Sequence, residues 1–264
     1  MKPWVALAVA LAAAACAAPP AAATVRVVTW NVHHGADAAD RVDVTRLADE
    51  LAALAPDIVC LQEVDVGVRR SGHVDLPAEL ARRLGLHAVF GKNIDYQGGD
   101  YGNAILSRWP IGEHGNLHYH MLRPGEQRGL LVAAIETPVG RCTVGCTHID
   151  WRPGDAERVA NCAEILGLGA QLDVLAGDFN DLPDSRVHAA LATAFADCWS
   201  AVGEGVGATY PQAEPRRRID WLLVRRGSGW APSDACVPAC AASDHRPVLV
   251  ELRPAGDQGL SSSP

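Results

Sequence analysis

An Asp-His pair, Asp244-His245, stands directly before an apolar run near the C-terminus of the sequence. Taken alone, such a pair is typical of a surface loop ahead of a strand. A second carboxylate, Asp220, interrupts the apolar run 219–224 and needs a polar partner if that run is buried. Histidine can transfer protons near neutral pH, and a neighbouring carboxylate can orient its ring. These residues are therefore candidates for proton transfer.

Other polar side chains stand where apolar runs end. These residues are Asn31, Glu63, His148, Asp178 and Asn180. Each has an ordinary explanation alone, as a turn residue, a cap or a solvated strand end. Ligands of α/β sheets, however, bind where side chains from several strand ends converge. The carboxylates and amides are hard oxygen ligands that suit Mg²⁺ or Mn²⁺, and the histidines supply proton transfer. The combination indicates metal-assisted attack of water on a phosphorus centre.

Strand-like and helix-like segments alternate along the chain. Short apolar runs predict strands, and apolar residues at helical spacing predict helices. The predicted strands are 24–31, 58–61, 103–106, 130–136, 143–147, 174–176, 219–224 and 248–252. The predicted helices are 44–54, 76–84, 156–168 and 186–195. This order, with its β-rich middle, predicts an α/β protein with mixed sheets and without internal repeats.

Composition limits the function classes. The 264 residues fit one sizeable domain, and an apolar fraction of 48% suffices for a core. The formal charge of −8 argues against tight, sequence-independent DNA binding. It excludes neither divalent cations nor small phosphorylated substrates. We expect a monomer.

The N-terminal residues 1–23 have the composition of an export signal, with a positively charged start, an apolar run and an Ala-Pro-rich end. The apolar run is too short for a transmembrane helix. Cleavage after Ala23 is the ordinary interpretation, and lipid attachment at Cys16 is the alternative. We therefore predict an exported protein, either secreted, periplasmic or held at the surface as a lipoprotein. The folded domain is predicted to span 24–254, followed by a flexible tail, 255–264.

The sequence contains eight cysteines. Cys60 and Cys162 lie in apolar patterns typical of buried small side chains. Export leads us to expect one or two disulfides, with Cys198, Cys236 and Cys240 as the candidates and their pairing left open. No cysteine and histidine spacing resembles a zinc site.

These motifs together resemble the endonuclease/exonuclease/phosphatase superfamily. The matching stretches, in the family's order, are TWNVHHG (29–35), DIVCLQEVD (57–65), YGNAILS (101–107), THID (147–150), GDFND (177–181), RIDWLL (218–223) and SDHRPV (243–248). The resemblance implies a four-layer α/β sandwich, in which two mixed sheets pack face to face with helices outside. It also implies an Mg²⁺- or Mn²⁺-dependent phosphoric ester hydrolase.

The resemblance assigns roles to several residues. It places Glu63, Asn31 and Asp244 at the divalent metal, with Glu63 as the direct ligand. It makes His245 the residue that contacts the scissile phosphate and carries a proton. Asp220 would hold the ring of His245 and favour its charged form.

Three further residues receive catalytic roles from the same resemblance. Asp178 would position or deprotonate the attacking water, or protonate the leaving oxygen. Asn180 and His148 would donate to the charge that develops on phosphorus.

One position departs from the family pattern. His33 stands where abasic-site enzymes carry an acidic residue, which puts a second metal ligand from this loop in doubt. The HHG version of this loop resembles a compact bacterial subgroup of the superfamily. From that likeness, the candidates for substrate contact are His33, Arg70, Tyr101, Asn103 and Arg128.

Three functions remain open on the sequence. The leading one is hydrolysis of a phosphodiester or phosphomonoester that is small or linked to a lipid. The second is a secreted nuclease acting on DNA or RNA, favoured by the arginines at 216–218 and disfavoured by the net charge. The third is a non-catalytic binding module, which should have lost some site residues.

Overall fold

A computed structural model describes residues 24–256. The predicted export signal, the lipid-attachment alternative at Cys16 and most of the predicted tail lie outside these residues. The strands are β1 (Val25–Asn31), β2 (Ile58–Val66), β3 (His87–Tyr96), β4 (Gly99–Ser107), β5 (Ile111–His118), β6 (Gly129–Thr137), β7 (Gly140–His148), β8 (Val174–Asp178), β9 (Phe195–Asp197), β10 (Asp220–Arg225), β11 (Trp230–Cys236) and β12 (Val248–Pro254). The α-helices are α1 (Val44–Ala53), α2 (Leu76–Leu84), α3 (Ala156–Gly167), α4 (Arg186–Leu191) and α5 (Cys198–Val202). In the described part of the chain, no helix is long and apolar enough to cross a membrane.

The strands form two sheets of six strands each. The first sheet has the order β11-β12-β1-β2-β4-β3, and the second has the order β5-β6-β7-β8-β10-β9. In the first sheet β1 and β2 are parallel, and in the second β7 and β8 are parallel. The neighbouring strands β12 and β10 run antiparallel to these pairs. Both sheets are therefore mixed, as the sequence predicts.

The two sheets pack face to face through one apolar cluster. It joins Val27 and Ile105 of the first sheet to Leu131, Val144 and Leu222 of the second, all at most 2% exposed. Burial of such side chains contributes about 1.5–3 kcal/mol each, so this layer is a major source of stability.

Helices cover the outer faces of both sheets. Leu47 of α1 and Leu80 of α2 pack on the first sheet, and Cys162 of α3 and Val187 of α4 pack on the second. The order helix, sheet, sheet, helix confirms the predicted four-layer sandwich.

The structure adds four strands that the sequence did not predict: β3, β5, β9 and β11. All four are the outermost strands of their sheets. The predicted helix 186–195 is also too long, because it ends at Leu191 and Phe195 begins β9, which pairs with β10. The short helix α5 was not predicted either.

The cysteines differ from expectation. All seven cysteines of the described part have free thiols, including Cys198, Cys236 and Cys240. The expected disulfides among these three are therefore absent from the structure. Cys60 and Cys162 are buried, as their apolar surroundings predict.

Candidate active site

Nine of the thirteen predicted site residues line one cleft of about 450 Å³. It lies where the two parallel pairs end, since Asn31 pairs with Gln62 at the end of β1–β2 and His148 pairs with Asp178 at the end of β7–β8. Each sheet thus brings a strand end to the same edge, and the packed sheets place the two ends opposite each other. A depression of about 480 Å³ elsewhere, beside Ala52, is lined by no carboxylate or histidine.

A β-bulge directs Glu63 into the cleft. The β2–β4 register shifts between Leu61 and Val64, and Glu63 has a left-handed φ of 59°. Its neighbour Gln62 is fully buried and donates to Thr29 Oγ1 at 3.1 Å. A bulge re-aims a side chain in this way, so Glu63 lines the cleft while Gln62 stays between the sheets.

Close backbone contact shapes the other side of the cleft. Gly177 pairs with Thr147, and a Cβ on Gly177 would lie 2.0 Å from the Thr147 carbonyl oxygen. Only glycine fits there. Asp178 follows directly, and its Oδ1 accepts from the Asn180 amide at 2.9 Å, where Asn180 has a left-handed φ of 48°. The GDFN stretch is therefore a tight turn that presents both polar side chains.

One amide connects the two halves of the site. Nδ2 of Asn31 donates to Oε1 of Glu63 and to Oδ2 of Asp178, both at 3.0 Å. Asn31 and Glu63 belong to the first sheet, whereas Asp178 belongs to the second. The Asn31 carbonyl accepts from the Ser243 hydroxyl at 2.7 Å, which fixes the turn that carries Asp244.

His245 and Asp220 form a buried pair. Nδ1 of His245 lies 2.9 Å from Oδ2 of Asp220, which also accepts from the Thr209 hydroxyl. Burial opposes a charge on the ring, but the charge and hydrogen bond of Asp220 outweigh it and raise the pKa of His245 to about 10. The other ring nitrogen, Nε2, lies 3.8 Å from Asp178 and faces the cleft. The His245 ring is therefore protonated and oriented by Asp220, and its Nε2 is available to a ligand.

Asp178 lies between this cation and the rest of the cleft. It is 1% exposed. Burial and the negative charge of Asp220 raise the pKa of Asp178 to about 7, against the opposing effects of His245 and the Asn31 hydrogen bond. A carboxyl group with this pKa can accept or give up a proton near neutral pH.

His148 is a neutral histidine. Burial and the nearby charge of Arg128 hold its pKa well below the ordinary value. Nη1 of Arg128 donates to Nδ1 of His148 at 3.0 Å, which leaves the ring proton on Nε2. That nitrogen lies 3.6 Å from Asp178 Oδ2 and 3.0 Å from the side-chain amide of Asn180. His148 is therefore placed to donate a hydrogen bond.

The donor set fits a hard divalent cation. Glu63 and Asp244 line the cleft, and Asn31 lies against Glu63. These carboxylate and amide oxygens are the ligand types that Mg²⁺ and Mn²⁺ prefer. A second group, Asp178, Asp220 and His245, has ligand atoms within 4.8 Å of one another. Because Asp220 and His245 already share a hydrogen bond, we interpret that group as a proton-transfer unit instead of a metal cage.

The candidates for substrate contact separate into two groups. Arg70, Tyr101 and Arg128 line the cleft. Asn103 does not: it is 1% exposed, and its amide donates to the Gly129 carbonyl at 3.2 Å, so it ties β4 to β6 across the sheets. His33 is not among the lining residues, and its Nδ1 lies 4.0 Å from Oδ1 of Asp244.

Sequence reasoning missed several residues that shape the site. They are Asp65, Glu126, Trp151, Thr209 and Tyr210. Asp65 is the last residue of the matched stretch DIVCLQEVD, and Trp151 directly follows the matched stretch THID. Their positions in the sequence therefore indicated that both lie near the site. Thr209 and Tyr210 come from a loop without a recognisable pattern, and only the fold shows that Thr209 contacts Asp220 and Tyr210 contacts His245.

The arginine run 216–218 is divided by the structure. Arg218 is buried and pairs with Asp197 at 2.7 Å, whereas Arg216 is exposed and pairs with Glu214. Arg217 alone lines the cleft. The run therefore forms no continuous basic surface.

Comparison with known proteins agrees with this architecture. Residues 28–245 match the model of the Endonuclease/Exonuclease/phosphatase family. The YbhP protein of Escherichia coli (strain K12), described as uncharacterized, is 31% identical over 248 residues, which covers 86% of this chain and 95% of YbhP.

Solved structures show the same fold. An endonuclease/exonuclease/phosphatase from Beutenbergia cavernae superposes with a TM-score of 0.73 at 27% identity, covering 88% of this chain and 72% of that one. The human Nocturnin catalytic domain has a TM-score of 0.69 at 19% identity, covering 87% and 93% of the two chains.

Proposed function

Because this chain belongs to the endonuclease/exonuclease/phosphatase family, we propose that it hydrolyses a phosphate ester with the help of a divalent metal ion. The family is generally hydrolytic. One observation carries the proposal for this chain: His245, paired with Asp220, and His148 both lie within 4 Å of the buried carboxylate of Asp178 in one cleft.

The proposed reaction uses each of these groups. Nε2 of His245 donates to an oxygen of the scissile phosphate, and Asp220 keeps that ring charged and oriented. Asp178 exchanges a proton with the attacking water or with the leaving oxygen. Nε2 of His148 and the amide of Asn180 donate to the negative charge that builds up on phosphorus.

The metal side of the cleft would be formed by Glu63, Asn31 and Asp244. A divalent cation held by these residues would supply positive charge to the phosphate and to the attacking water. The role of Asn31 in this half is to hold Glu63 and Asp178 at a fixed separation, since its amide donates to both carboxylates.

The size and lining of the cleft favour a small polar substrate. Its volume of about 450 Å³ is that of a site for one small molecule or head group. Among its lining side chains, only that of Ile219 carries neither a charge nor a hydrogen-bonding group. We therefore propose a small phosphodiester or phosphomonoester, or the head group of a lipid, as the substrate class.

A second candidate, a nuclease, rests on Trp151. This side chain is 62% exposed at the rim of the cleft, where it could stack on a base. The net charge of −8 and the divided arginine run speak against a long nucleic-acid groove. A retained but inactive binding module receives no support, since every residue that the resemblance assigns to catalysis is present.

The test is a hydrolysis assay of the purified protein with Mg²⁺, with Mn²⁺ and with a chelator. The substrates are bis(p-nitrophenyl) phosphate, an inositol phosphate, sphingomyelin and plasmid DNA. We expect metal-dependent turnover of at least one small ester. Turnover of plasmid DNA alone, with a steep dependence on salt, would favour the nuclease. No turnover of any ester with either metal would contradict the proposal.

A further inference from the structure

Arg70 occupies one wall of the cleft and is held there by a buried partner. Its Nε and Nη2 donate to Oδ2 and Oδ1 of Asp65 at 2.9 and 2.8 Å. The Asp65 side chain is fully buried, whereas the Arg70 side chain is 26% exposed. A two-point pair of this kind fixes the plane of the guanidinium group.

Aromatic rings flank the same guanidinium group. Its Cζ lies 4.7 Å from the ring centre of Tyr96 and 5.3 Å from that of Tyr101. Tyr101 also lines the cleft. Burial raises the pKa of the Tyr101 phenol well above its ordinary value, so the hydroxyl keeps its proton. The wall thus offers a rigid cation and a neutral hydroxyl donor.

Two hydrogen-bond donors of this wall are not used in contacts within the described part of the protein. Among residues 24–256, Nη1 of Arg70 and the hydroxyl of Tyr101 have no protein hydrogen-bond partner, while both residues border the cleft. An ion pair with a purely structural role need not leave one of its donors facing a cleft, as the Arg70–Asp65 pair does. Here the Asp65 carboxylate is fully buried on the side of Arg70 away from the cleft, and Nη1 of Arg70 is left free to donate to a ligand in the cleft.

We propose that Arg70 and Tyr101 form a second anion subsite, which receives a phosphate group of the substrate other than the one that is cleaved. The inference rests on the proposed function, because it places a non-reacting part of the substrate in the same cleft. Since Asp65 neutralises the charge of Arg70, recognition works through directed N–H and O–H donors. The substrate class is therefore a small ester that carries two phosphates.

The experiment is a calorimetric titration of the full-length protein with inorganic phosphate in the presence of Mg²⁺. Wild-type protein should bind two phosphate ions, one in the reacting half and one at the Arg70 wall. Arg70→Lys should lose the second ion, or bind it at least about tenfold more weakly, because lysine cannot keep the two-point pair with Asp65. Tyr101→Phe should weaken the same ion by several-fold and leave the ion pair intact.

The control is Arg82→Ala, which removes an exposed arginine on α2 and should leave both ions bound. Loss of Arg70 could unfold the chain by leaving Asp65 buried without a partner. The double variant Asp65→Asn with Arg70→Gln avoids this difficulty by removing both charges. It should fold and lose the second ion.

Two results would overturn the inference: a single bound phosphate in the wild-type protein, or a second ion that all three site variants keep at unchanged affinity. The hydrolysis of bis(p-nitrophenyl) phosphate by wild-type protein is measured in parallel. If that ester and the other substrates are not cleaved but Arg70-dependent phosphate binding is found, the proposed reaction fails and the subsite stands. If cleavage occurs without Arg70-dependent binding, the subsite fails alone.

Discussion

Oδ2 of Asp220 lies 2.9 Å from Nδ1 of His245, so that the imidazole presents only Nε2 to the cleft. The pair joins the start of β10 in the second sheet to the turn before β12 in the first. Thr209 and Tyr210 support it, the first by a hydrogen bond to Asp220 and the second with a ring centre 4.7 Å from that of His245. The histidine is therefore oriented from three sides before any substrate binds.

Replacing either member of this pair should reduce turnover. Asp220→Asn removes the negative charge that keeps His245 protonated, and His245→Ala removes the donor itself. We expect kcat for a small phosphate ester to fall by about 10²–10⁴-fold in each variant, the usual size of a general acid–base contribution. His114→Ala, on exposed β5, is the control. Full activity in folded His245→Ala protein would contradict the mechanism.

Removing the charge of Glu63 should weaken metal activation. Glu63→Gln keeps the size of the side chain but gives Asn31 an uncharged partner and the cation a poorer ligand. We expect the Mg²⁺ concentration for half-maximal activity to rise by about tenfold or more, since one charge-assisted contact is worth about 1.5–3 kcal/mol. Glu113→Gln, whose side chain is 94% exposed, should have no such effect. An unchanged Mg²⁺ dependence would remove Glu63 from the metal site.

Asp197 should make stability depend on pH. It accepts from Arg218 at 2.7 Å, and His188 Nε2 lies 2.9 Å from its Oδ2. Burial opposes its charge, but these two partners outweigh burial and hold its pKa well below the ordinary range. A lowered native pKa contributes stability that is fully present above the unfolded pKa of about 4 and is lost as the pH falls below it.

Asp197→Asn leaves Arg218 buried without its charged partner. We expect the free energy of unfolding to fall by about 3 kcal/mol or more at pH 7, and the difference from wild type to shrink between about pH 4 and pH 2. Urea denaturation at several pH values measures both effects. Asp49→Asn, on the exposed face of α1, should change stability by less than about 0.5 kcal/mol. A difference that did not change with pH would show that packing, and not charge, is lost.

Gly177 should tolerate no side chain. Gly177→Ala would bring a Cβ within 2.0 Å of the Thr147 carbonyl oxygen and force β7 and β8 apart next to Asp178. We expect a loss of about 3 kcal/mol or more in unfolding free energy, together with loss of turnover. Gly167→Ala, at the end of α3 with open space around the new Cβ, should be neutral or stabilising by up to about 1 kcal/mol. Equal stabilities of the two variants would contradict this account.

The sequence predicted the interior of each sheet and missed its borders. The eight predicted strands are the central ones, which are buried on both faces and therefore form continuous apolar runs. The border strands have a free edge and more contact with solvent: in β5 only Ile111 and Asn116 are half-buried, and the other residues are exposed. β11 carries Pro232 at a register shift, and an inner strand would not tolerate a proline there because proline has no N–H for a ladder hydrogen bond.

The site residues that stand at the ends of predicted strands could be found from the sequence. Contacts between residues far apart in the sequence could not. Asn31, Glu63 and Asp178 end apolar runs, so their types and positions indicated a shared site. The bulge that turns Glu63 into the cleft depends on its pairing with β4, which periodicity does not reveal. Asn103 shows the converse: a residue inside a matching motif that serves the packing between the sheets.

The cleft straddles the seam between the sheets, with Asn31 and Glu63 on one side and His148 and Asp178 on the other. No covalent segment sets the gap between these groups. It is set by the thickness of the apolar layer that includes Leu131 and Val144, both fully or almost fully buried. The distance between the two halves of the site therefore depends on the volume of the core side chains between the sheets. Adding or removing a single methyl group in that layer should therefore change the spacing of the site without altering any residue that lines the cleft.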